Sequence, residues 1–443
     1  MNHINNSNFK KNRFKITIWL IGLYIITIPF QKILHNSYLQ YKIQPSEIIF
    51  LLIFFSFLVR LDFQFIKYQW HKRKINLIDF SVIIWLIIEL INLFFNQNRT
   101  TIFEFFGQVY LISLYGIIRI VVPKLGDKND VFSFLKKSFR IMALIIFGTI
   151  FLGVISVVIF DKDLGVFWRF KDYPYFGTIY RLKAFTNEPV MLASILSPVI
   201  IMEFFSFKKR EVINSSDFFL RNSIYYLVLF SAMLLFTFSK SITCLAATIL
   251  LLVARYHPIG LASRWFFKSL AISFLLLYVV MSHLIITKNS SREGQGYGME
   301  SPFIQFNGIY AYKTWYLVQK ENAIALFRDH PIIGVGGGNM VNILEQNSTK
   351  PTYYYSTYDP LSSWVGILAE YGLIGFIGVA GLFYSLITYL TNISHENYIK
   401  YTFLGIFLYF ILEAICTDIM NFRHLWVSLG FYSSIYSISN VKS

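Results

Sequence analysis

The stretch Arg328-Asp329-His330-Pro331-Ile332-Ile333-Gly334-Val335-Gly336-Gly337-Gly338-Asn339 lies inside the longest polar interval of a sequence that consists mostly of apolar segments. This interval covers residues 288–360, and it contains an amphipathic segment from Ile309 to Phe327. Apolar sequence flanks the interval on both sides, which a soluble domain would not need but a membrane enzyme working at the bilayer surface would. We therefore predict that residues 288–360 form a large loop outside the membrane that contains an amphipathic helix.

The composition indicates a membrane protein. Of the 443 residues, 55% are hydrophobic and only 14% are charged, whereas soluble proteins average roughly 25% charged residues. Apolar segments recur at about the 17–25 residues that a helix needs to cross a bilayer. We predict an all-α fold, with residues 1–443 forming a single polytopic membrane domain of about twelve transmembrane helices. The predicted spans are 16–33, 46–60, 77–95, 102–122, 141–160, 188–206, 222–237, 241–255, 268–287, 361–390, 399–416 and 424–439.

The net charge of +16 does not indicate nucleic-acid binding, because the basic residues collect in short loops where they set topology and contact lipid headgroups. The short basic groups Lys72-Arg73-Lys74, Lys136-Lys137 and Lys208-Lys209-Arg210 all fall on one side of the predicted spans. The positive-inside rule makes that side cytoplasmic and places both termini there. The 288–360 loop and a second loop at 161–187 then face outward, which in a bacterium is the periplasmic face of the inner membrane.

No motif for a metal or a cofactor is present in the sequence. There is no phosphate-binding loop of the GxxxxGK[ST] type and no HExxH, and the glycines near Gly336 do not follow a strand of a βαβ unit. The two cysteines, Cys244 and Cys416, have no metal-ligand spacing. We expect no metal and no cofactor. The basic residues before the first span precede no small-residue cleavage site, so we expect a retained helix rather than a signal peptide.

Basic residues of the outward segments are candidate ligands for a lipid diphosphate. Arg181 and Lys183 precede the sixth span, and a guanidinium fork suits phosphate oxygens. Lys240 lies on an outer turn between two short spans, and Arg328 precedes the glycine-rich loop, whose N–H groups are candidates to cradle an anion. Each of these assignments has a plainer alternative. Arg181 and Lys240 also suit cations that set topology or extend to the lipid headgroups, and the glycine-rich loop after Arg328 also suits a mobile linker. We expect the side chains of Arg181, Lys240 and Arg328 to converge on one diphosphate headgroup at the lipid–water boundary.

Three residues are candidates for acid–base chemistry. His330 is the single histidine of the long loop, although it also suits a backbone-capping role beside Pro331. Asp359 is a candidate base and equally a helix cap at the tenth span. Glu370 lies inside that span, where a carboxylate is costly to bury. Arg423 is a further candidate ligand, with an Asp418–Arg423 interfacial pair as its structural alternative.

Four segments together resemble the O-antigen ligase/polymerase superfamily of bacterial polytopic glycosyltransferases. They are Arg181 to Pro189, the turn Thr237-Phe238-Ser239-Lys240, the loop Asp329 to Gly336, and the helix segment Trp364 to Phe376. The resemblance covers residues 180–390. The order, spacing and loop placement of these four segments carry the resemblance. Where the family usually has Ser-Arg at the turn, this chain has Ser239-Lys240.

The resemblance implies a metal-independent glycosyltransferase whose donor is an undecaprenyl-diphosphate-linked oligosaccharide on the outer face of the inner membrane. Arg181, Lys240 and Arg328 would then stabilise the leaving diphosphate. Ligases of the family have a His-Asn pair before the tenth-span motif, and residues 356–364 contain no histidine. This departure favours a polymerase that joins lipid-linked repeat units of O-antigen, capsule or exopolysaccharide.

Two alternatives remain open. One is a ligase that transfers lipid-linked glycan to lipid A-core or protein. The other is a lipid-linked oligosaccharide flippase, which ranks third because transporters tend to place charged or broken helices at the midplane. Membrane lipids are expected partners, a chain-length regulator and a flippase are further candidate partners, and no nucleic-acid partner is expected.

Overall fold

The structure is a computed structural model that describes most of the chain. The described residues are 14–31, 44–60, 75–162, 164–173, 177–207, 223–256, 260–287, 304–347, 361–392 and 397–440.

Helices make up most of the described part. In chain order they are α1 Lys15–Thr27, α2 Pro45–Leu58, α3 Leu77–Phe95, α4 Arg99–Val121, α5 Lys128–Phe160, α6 Pro189–Phe207, α7 Ser223–Leu235, α8 Ser241–Tyr256, α9 Leu261–His283, α10 Trp315–Asp329, α11 Asn339–Asn347, α12 Ser363–Asn392, α13 Asn397–Glu413 and α14 Arg423–Asn440. A short 3₁₀ turn, Val122–Lys124, follows α4.

Six of these helices are long and apolar enough to cross a membrane, judged by length and composition within the described residues. They are α3, α4 with the 3₁₀ turn, α5, α6, α9 and α12. Four shorter apolar helices, α1, α2, α7 and α8, accompany them. A helix overlaps each of the twelve predicted spans, so the helical membrane architecture is confirmed while the count of twelve crossings stays a prediction.

Local sequence explains where several helices begin. Before α3, the Asn76 side chain accepts from the Asp79 N–H (2.7 Å), and the Asp79 side chain accepts in return from the Asn76 N–H (3.1 Å). Before α5, Asp127 accepts from the N–H of Asp130 (2.9 Å). Such reciprocal bonds satisfy N–H groups that a helix start leaves unpaired. They place the start of α5 at Lys128, thirteen residues before the predicted span at 141–160.

Two small sheets accompany the helices, in segments predicted to lie outside the membrane except for residues 284–287, which form a strand at the end of the predicted span 268–287. Strands β1 (Phe167–Tyr173) and β2 (Gly177–Leu182) pair antiparallel. Strands β3 (Leu284–Thr287), β4 (Ile304–Phe306) and β5 (Ile309–Lys313) form an antiparallel sheet in the order β3-β5-β4. The described part remains an all-α membrane architecture, to which these two small sheets are added. The predicted amphipathic helix at 309–327 is also wrong in its first part, because Ile309–Lys313 is a strand and the helix begins at Trp315.

The loops that follow every second membrane helix lie at the same end of the helix bundle. The connection after α1 contacts the one after α5, where the Gln31 N–H donates to the Phe185 carbonyl (3.1 Å). At the other end, Tyr398 Oη donates to Asn129 Oδ1 (2.7 Å) and joins the starts of α13 and α5. Helices that cross a membrane in succession produce this alternation. We call the end that holds the connections after α1, α3, α5, α7, α9 and α13 the loop face.

The glycine-rich loop at 331–337 is built into a break in α12. At the break Gly372 has φ 63° and ψ −158°, a backbone conformation that only glycine adopts readily. The carbonyls of Ala369 and Glu370 accept from the N–H groups of Val335 (3.0 Å) and Gly336 (2.9 Å) instead of from their own helix. In return, the N–H groups after the break donate to loop carbonyls, Leu373 to Pro331 (2.9 Å) and Ile374 to Ile332 (3.3 Å).

This junction overturns the idea that the loop is a mobile linker or an anion cradle. The N–H of Gly334 donates to the His330 carbonyl (3.1 Å), and the N–H of Gly337 donates to Asn92 Oδ1 (2.9 Å). With Val335 and Gly336 bound to α12, all four N–H groups from 334 to 337 are already used inside the protein. The loop is a fixed structural part that replaces the missing hydrogen bonds of a broken membrane helix.

Candidate active site

The turn between α7 and α8 holds a cation inside a ring of aromatic and carbonyl groups. Lys240 Nζ donates to the Cys416 carbonyl at 2.8 Å. The same ammonium lies 5.8 Å from the Tyr278 ring centroid and 5.6 Å from that of Tyr316. Cation–π contacts of this kind are favourable within about 6 Å. Residues from three separate parts of the chain thus fix the ammonium group of Lys240 at the loop face.

Arg181 lies beside this turn because the β1–β2 hairpin is attached to it. The Leu182 N–H donates to the Phe236 carbonyl (2.9 Å), and Arg181 Nε donates to the Thr237 carbonyl (3.1 Å). Burial lowers the pKa of Lys240 below its ordinary value; nearby acidic groups, Glu413 and Glu188 among them, oppose this shift, and the Arg181 guanidinium adds a smaller contribution in the lowering direction. The structure therefore brings together two of the cations that the sequence analysis singled out.

Lys320 is a third cation at this place, and the sequence analysis missed it. It lies on α10, and its Nζ donates to the Ile415 carbonyl (2.9 Å) and to His283 Nε2 (2.7 Å). His283 Nδ1 lies 2.6 Å from the Val279 carbonyl. A proton on Nδ1 satisfies that contact and leaves Nε2 as the acceptor for Lys320. We call Arg181, Lys240 and Lys320 the cationic cluster.

The C-terminal end of α13 provides the carbonyl groups that bind both Lys240 and Lys320. Helix C-termini leave unpaired carbonyls and carry partial negative charge. The carbonyls of Ile415 and Cys416, just beyond the last helical residue Glu413, accept from Lys320 and Lys240. The Glu413 side chain accepts from Ser241 Oγ (2.7 Å), and its second oxygen, Oε2, has no hydrogen-bond partner within the described part of the chain.

The other predicted ligands of the diphosphate lie elsewhere. Arg328 is exposed at the opposite end of α10 from Tyr316, and a rise of 1.5 Å per residue separates the two by about 18 Å. The expected convergence of Arg328 with Arg181 and Lys240 is therefore not seen. Lys183 follows β2, and its N–H donates to the Val166 carbonyl (3.1 Å).

Arg423 begins α14 and pairs with α2. Its Nη2 lies 2.6 Å from Glu47 Oε1, and its Nε donates to Tyr110 Oη (3.2 Å). The suggested Asp418–Arg423 pair is wrong, because Asp418 accepts instead from Ser363 Oγ (2.9 Å) and from neighbouring groups of its own loop. Arg423 thus ties α2 to α14 at the loop face.

The three candidate acid–base residues have different positions. Asp359 lies outside the described residues. His330 is exposed, ends α10 and donates its backbone N–H to the Leu326 carbonyl (3.0 Å). Glu370 is half-buried just before the break in α12 and lines a cavity of about 180 Å³. That cavity also contains Asp418, two residues beyond the carbonyl that binds Lys240.

These observations define a helical membrane protein with a cationic cluster at the ends of its helices on the loop face. A protein-family model described as O-antigen ligase matches residues 225–380. The match confirms the resemblance to the O-antigen ligase/polymerase superfamily, and it contains Lys240, Lys320, the glycine-rich loop and the break in α12. No curated protein matches the chain significantly.

Proposed function

We propose that this protein is a polysaccharide polymerase that joins undecaprenyl-diphosphate-linked oligosaccharide repeat units. Proteins of the matched family are glycosyltransferase-like and act on lipid-linked glycans. The cationic cluster is the observation that carries the proposal. A diphosphate leaving group needs positive charge where its own charge develops, and fixed cations that need no reorganisation supply it most effectively.

In the proposed reaction, a hydroxyl oxygen of the acceptor glycan attacks the anomeric carbon of the donor. The bond from that carbon to the lipid diphosphate breaks, and its electron pair leaves with the diphosphate oxygen. Arg181 presents a planar fork to two phosphate oxygens, and Lys240 and Lys320 act as point charges. Carbonyl contacts already hold both lysines in place, so binding the donor costs little side-chain ordering.

The site would lie on the periplasmic side of a bacterial inner membrane, with both termini cytoplasmic. Two observations support this orientation. The cationic cluster is on the loop face, and the basic residues Lys124 and Lys128 lie around the start of α5 at the other end, which the positive-inside rule makes cytoplasmic. Maleimide labelling of single cysteines in intact cells tests it, with a cysteine at Glu188 labelled from outside and one at Asn129 protected.

A ligase is the second candidate, because the matched family model is described as O-antigen ligase. It would use the same cationic cluster for the donor and would transfer the glycan to lipid A-core or protein. The two functions differ in the product that disappears when the gene is deleted.

Analysis of surface glycan and lipid-linked intermediates in a deletion strain tests the proposal. A polymerase predicts single repeat units and no long chains, with long chains restored by the wild-type gene but not by Arg181→Ala at equal membrane abundance. Long lipid-linked chains that fail to reach their final carrier would identify a ligase. Repeat units trapped on the inner leaflet would identify a flippase, and unchanged long chains would overturn all three.

A further inference from the structure

A second polar site lies next to the cationic cluster, in the cavity of about 180 Å³. A volume of that size would hold roughly six waters at their liquid density, which suits one sugar ring rather than an extended chain. The cavity is lined by residues of α3, α4, α11, α12 and the connection after α13. Its lining includes the side chains of Trp85, Glu104, Val341, Glu370, Tyr371 and Asp418.

Three carboxyl groups contribute hydrogen-bond acceptors to this cavity. Glu104, Glu370 and Asp418 contribute carboxyl groups from three different elements. The amide of Gln108 donates to Glu104 Oε1 (3.2 Å) and to Asn421 Oδ1 (2.9 Å), which fixes the Glu104 side chain. Carboxylates held in this way are suited to accept several hydroxyl donors at once.

A buried carboxyl group, Glu89, packs behind two of the residues that line the cavity. Glu89 is 2% exposed, and its Oε2 accepts from Tyr371 Oη at 3.3 Å, while Oε1 has no hydrogen-bond partner within the described residues. Glu89 lies four residues after Trp85 on α3, so both side chains are on the same helix face. Trp85 and Tyr371 both line the cavity. Glu89 is not among the residues that line the cavity, and it holds the Tyr371 hydroxyl in place from behind the lining.

Asp418 connects the cavity to the cationic cluster. Its carboxyl group accepts from Ser363 Oγ (2.9 Å), the Met420 N–H (3.2 Å) and Asn421 Nδ2 (3.2 Å). It lies two residues after Cys416, so the two Cα atoms are no more than about 7 Å apart. Burial raises the pKa of Asp418 above its ordinary value, the direction that suits a general base.

We propose that this cavity binds the terminal sugar of the acceptor glycan through its hydroxyl groups, and that Asp418 accepts the proton of the attacking hydroxyl. The inference rests on the proposed function and names the acceptor part of the same site. As the new carbon–oxygen bond forms, the hydroxyl proton passes to the Asp418 carboxylate. The electron pair of the broken bond leaves with the lipid diphosphate at the cationic cluster.

Saccharide binding to the full-length protein in nanodiscs tests the inference. The probe is the free oligosaccharide released by mild acid from the lipid-linked saccharides of wild-type cells, and binding is measured by saturation-transfer NMR. Glu104→Gln removes a carboxylate from the cavity, and Val341→Trp fills it from α11. We expect each to weaken binding at least tenfold.

Glu321→Gln is the matched control, because Glu321 is an exposed glutamate paired with Lys313 at 2.7 Å outside the cavity. This variant and Arg181→Ala should bind the saccharide as the wild type does. Wild-type affinity in both cavity variants, or no binding by the wild type, would overturn the inference. Loss of binding in Arg181→Ala would overturn it too, because the two sites would then not be separate. The proposed function fails separately, if Arg181→Ala still makes long chains.

Discussion

Replacing Gly372 with alanine should destabilise the protein through the junction between the glycine-rich loop and α12. The φ and ψ angles of Gly372 cost a non-glycine residue about 1–3 kcal/mol. An added Cβ would also overlap the Ile332 carbonyl. That overlap pushes the loop away and weakens the bonds from Leu373 to Pro331 and from Ile374 to Ile332, each worth about 0.5–1.5 kcal/mol net. The expected total loss is roughly 2–6 kcal/mol, from these two contributions.

Thermal unfolding of the detergent-solubilised protein, followed by fluorescence-detected size exclusion, measures this effect. The control is Gly381→Ala in the same helix, because a Cβ at Gly381 meets nothing within 4 Å. Alanine there should be neutral or stabilising by about 0.5–1 kcal/mol. If Gly372→Ala unfolds at the same temperature as Gly381→Ala, the loop does not replace hydrogen bonds of a broken helix and the described junction is wrong.

Three further predictions concern the cationic cluster. Lys320→Met should lower the rate of transfer by about 10²–10³, the usual effect of losing one electrostatic donor, and an in vitro polymerisation assay with wild-type rates would contradict a role for Lys320. Arg328→Ala should cost far less than Arg181→Ala in the same assay, because Arg328 lies at the far end of α10; equal losses would show that both cations contact the donor. The pKa of Lys240 is lowered, so activity that needs its charge is lost as pH rises through that lowered pKa. Lys240→Arg should move this alkaline limb of the pH–rate profile to higher pH, and an unmoved limb would exclude Lys240 as its origin.

The helices of the bundle could be predicted from the sequence because long apolar segments report them directly. Each of the twelve predicted spans overlaps a helix. The start of α5 was harder to predict. Its first residues, from Lys128, are not apolar, and capping hydrogen bonds rather than hydrophobicity determine where the helix begins. The segment from Ile309 had helical amphipathicity, but pairing with β3 made its first five residues a strand.

Two of the three residues of the cationic cluster could be predicted from the sequence, and the third could not. Arg181 and Lys240 stand out because isolated cations on outer turns need an explanation. Lys320 is one of several charged residues on an ordinary amphipathic helix, and only the fold brings it to the Ile415 carbonyl, 95 positions later in the chain. The four-residue spacing of Tyr316 and Lys320 puts them on one helix face, yet nothing in the sequence says what that face contacts.

The role of the glycine-rich loop could not be predicted from the sequence. Gly334 and Gly336 suggested a site for a ligand, because glycine permits close approach and positive φ. In the structure, the partner that approaches closely is the backbone of α12 around Glu370. The glycine-rich loop and the break in α12 are about 35 residues apart, and neither segment alone predicts that they pair. Because they pair, the loop supports the broken helix rather than binding a ligand.

Binding of undecaprenyl diphosphate to the purified protein, measured by native mass spectrometry against undecaprenyl monophosphate, tests the role of the cationic cluster most directly. If the cationic cluster binds the donor diphosphate, the wild type prefers the diphosphate lipid, and Arg181→Ala and Lys240→Met each lose this preference while Glu321→Gln keeps it. Equal retention of both lipids by the wild type, or an unchanged preference for the diphosphate in Arg181→Ala and Lys240→Met, would contradict it.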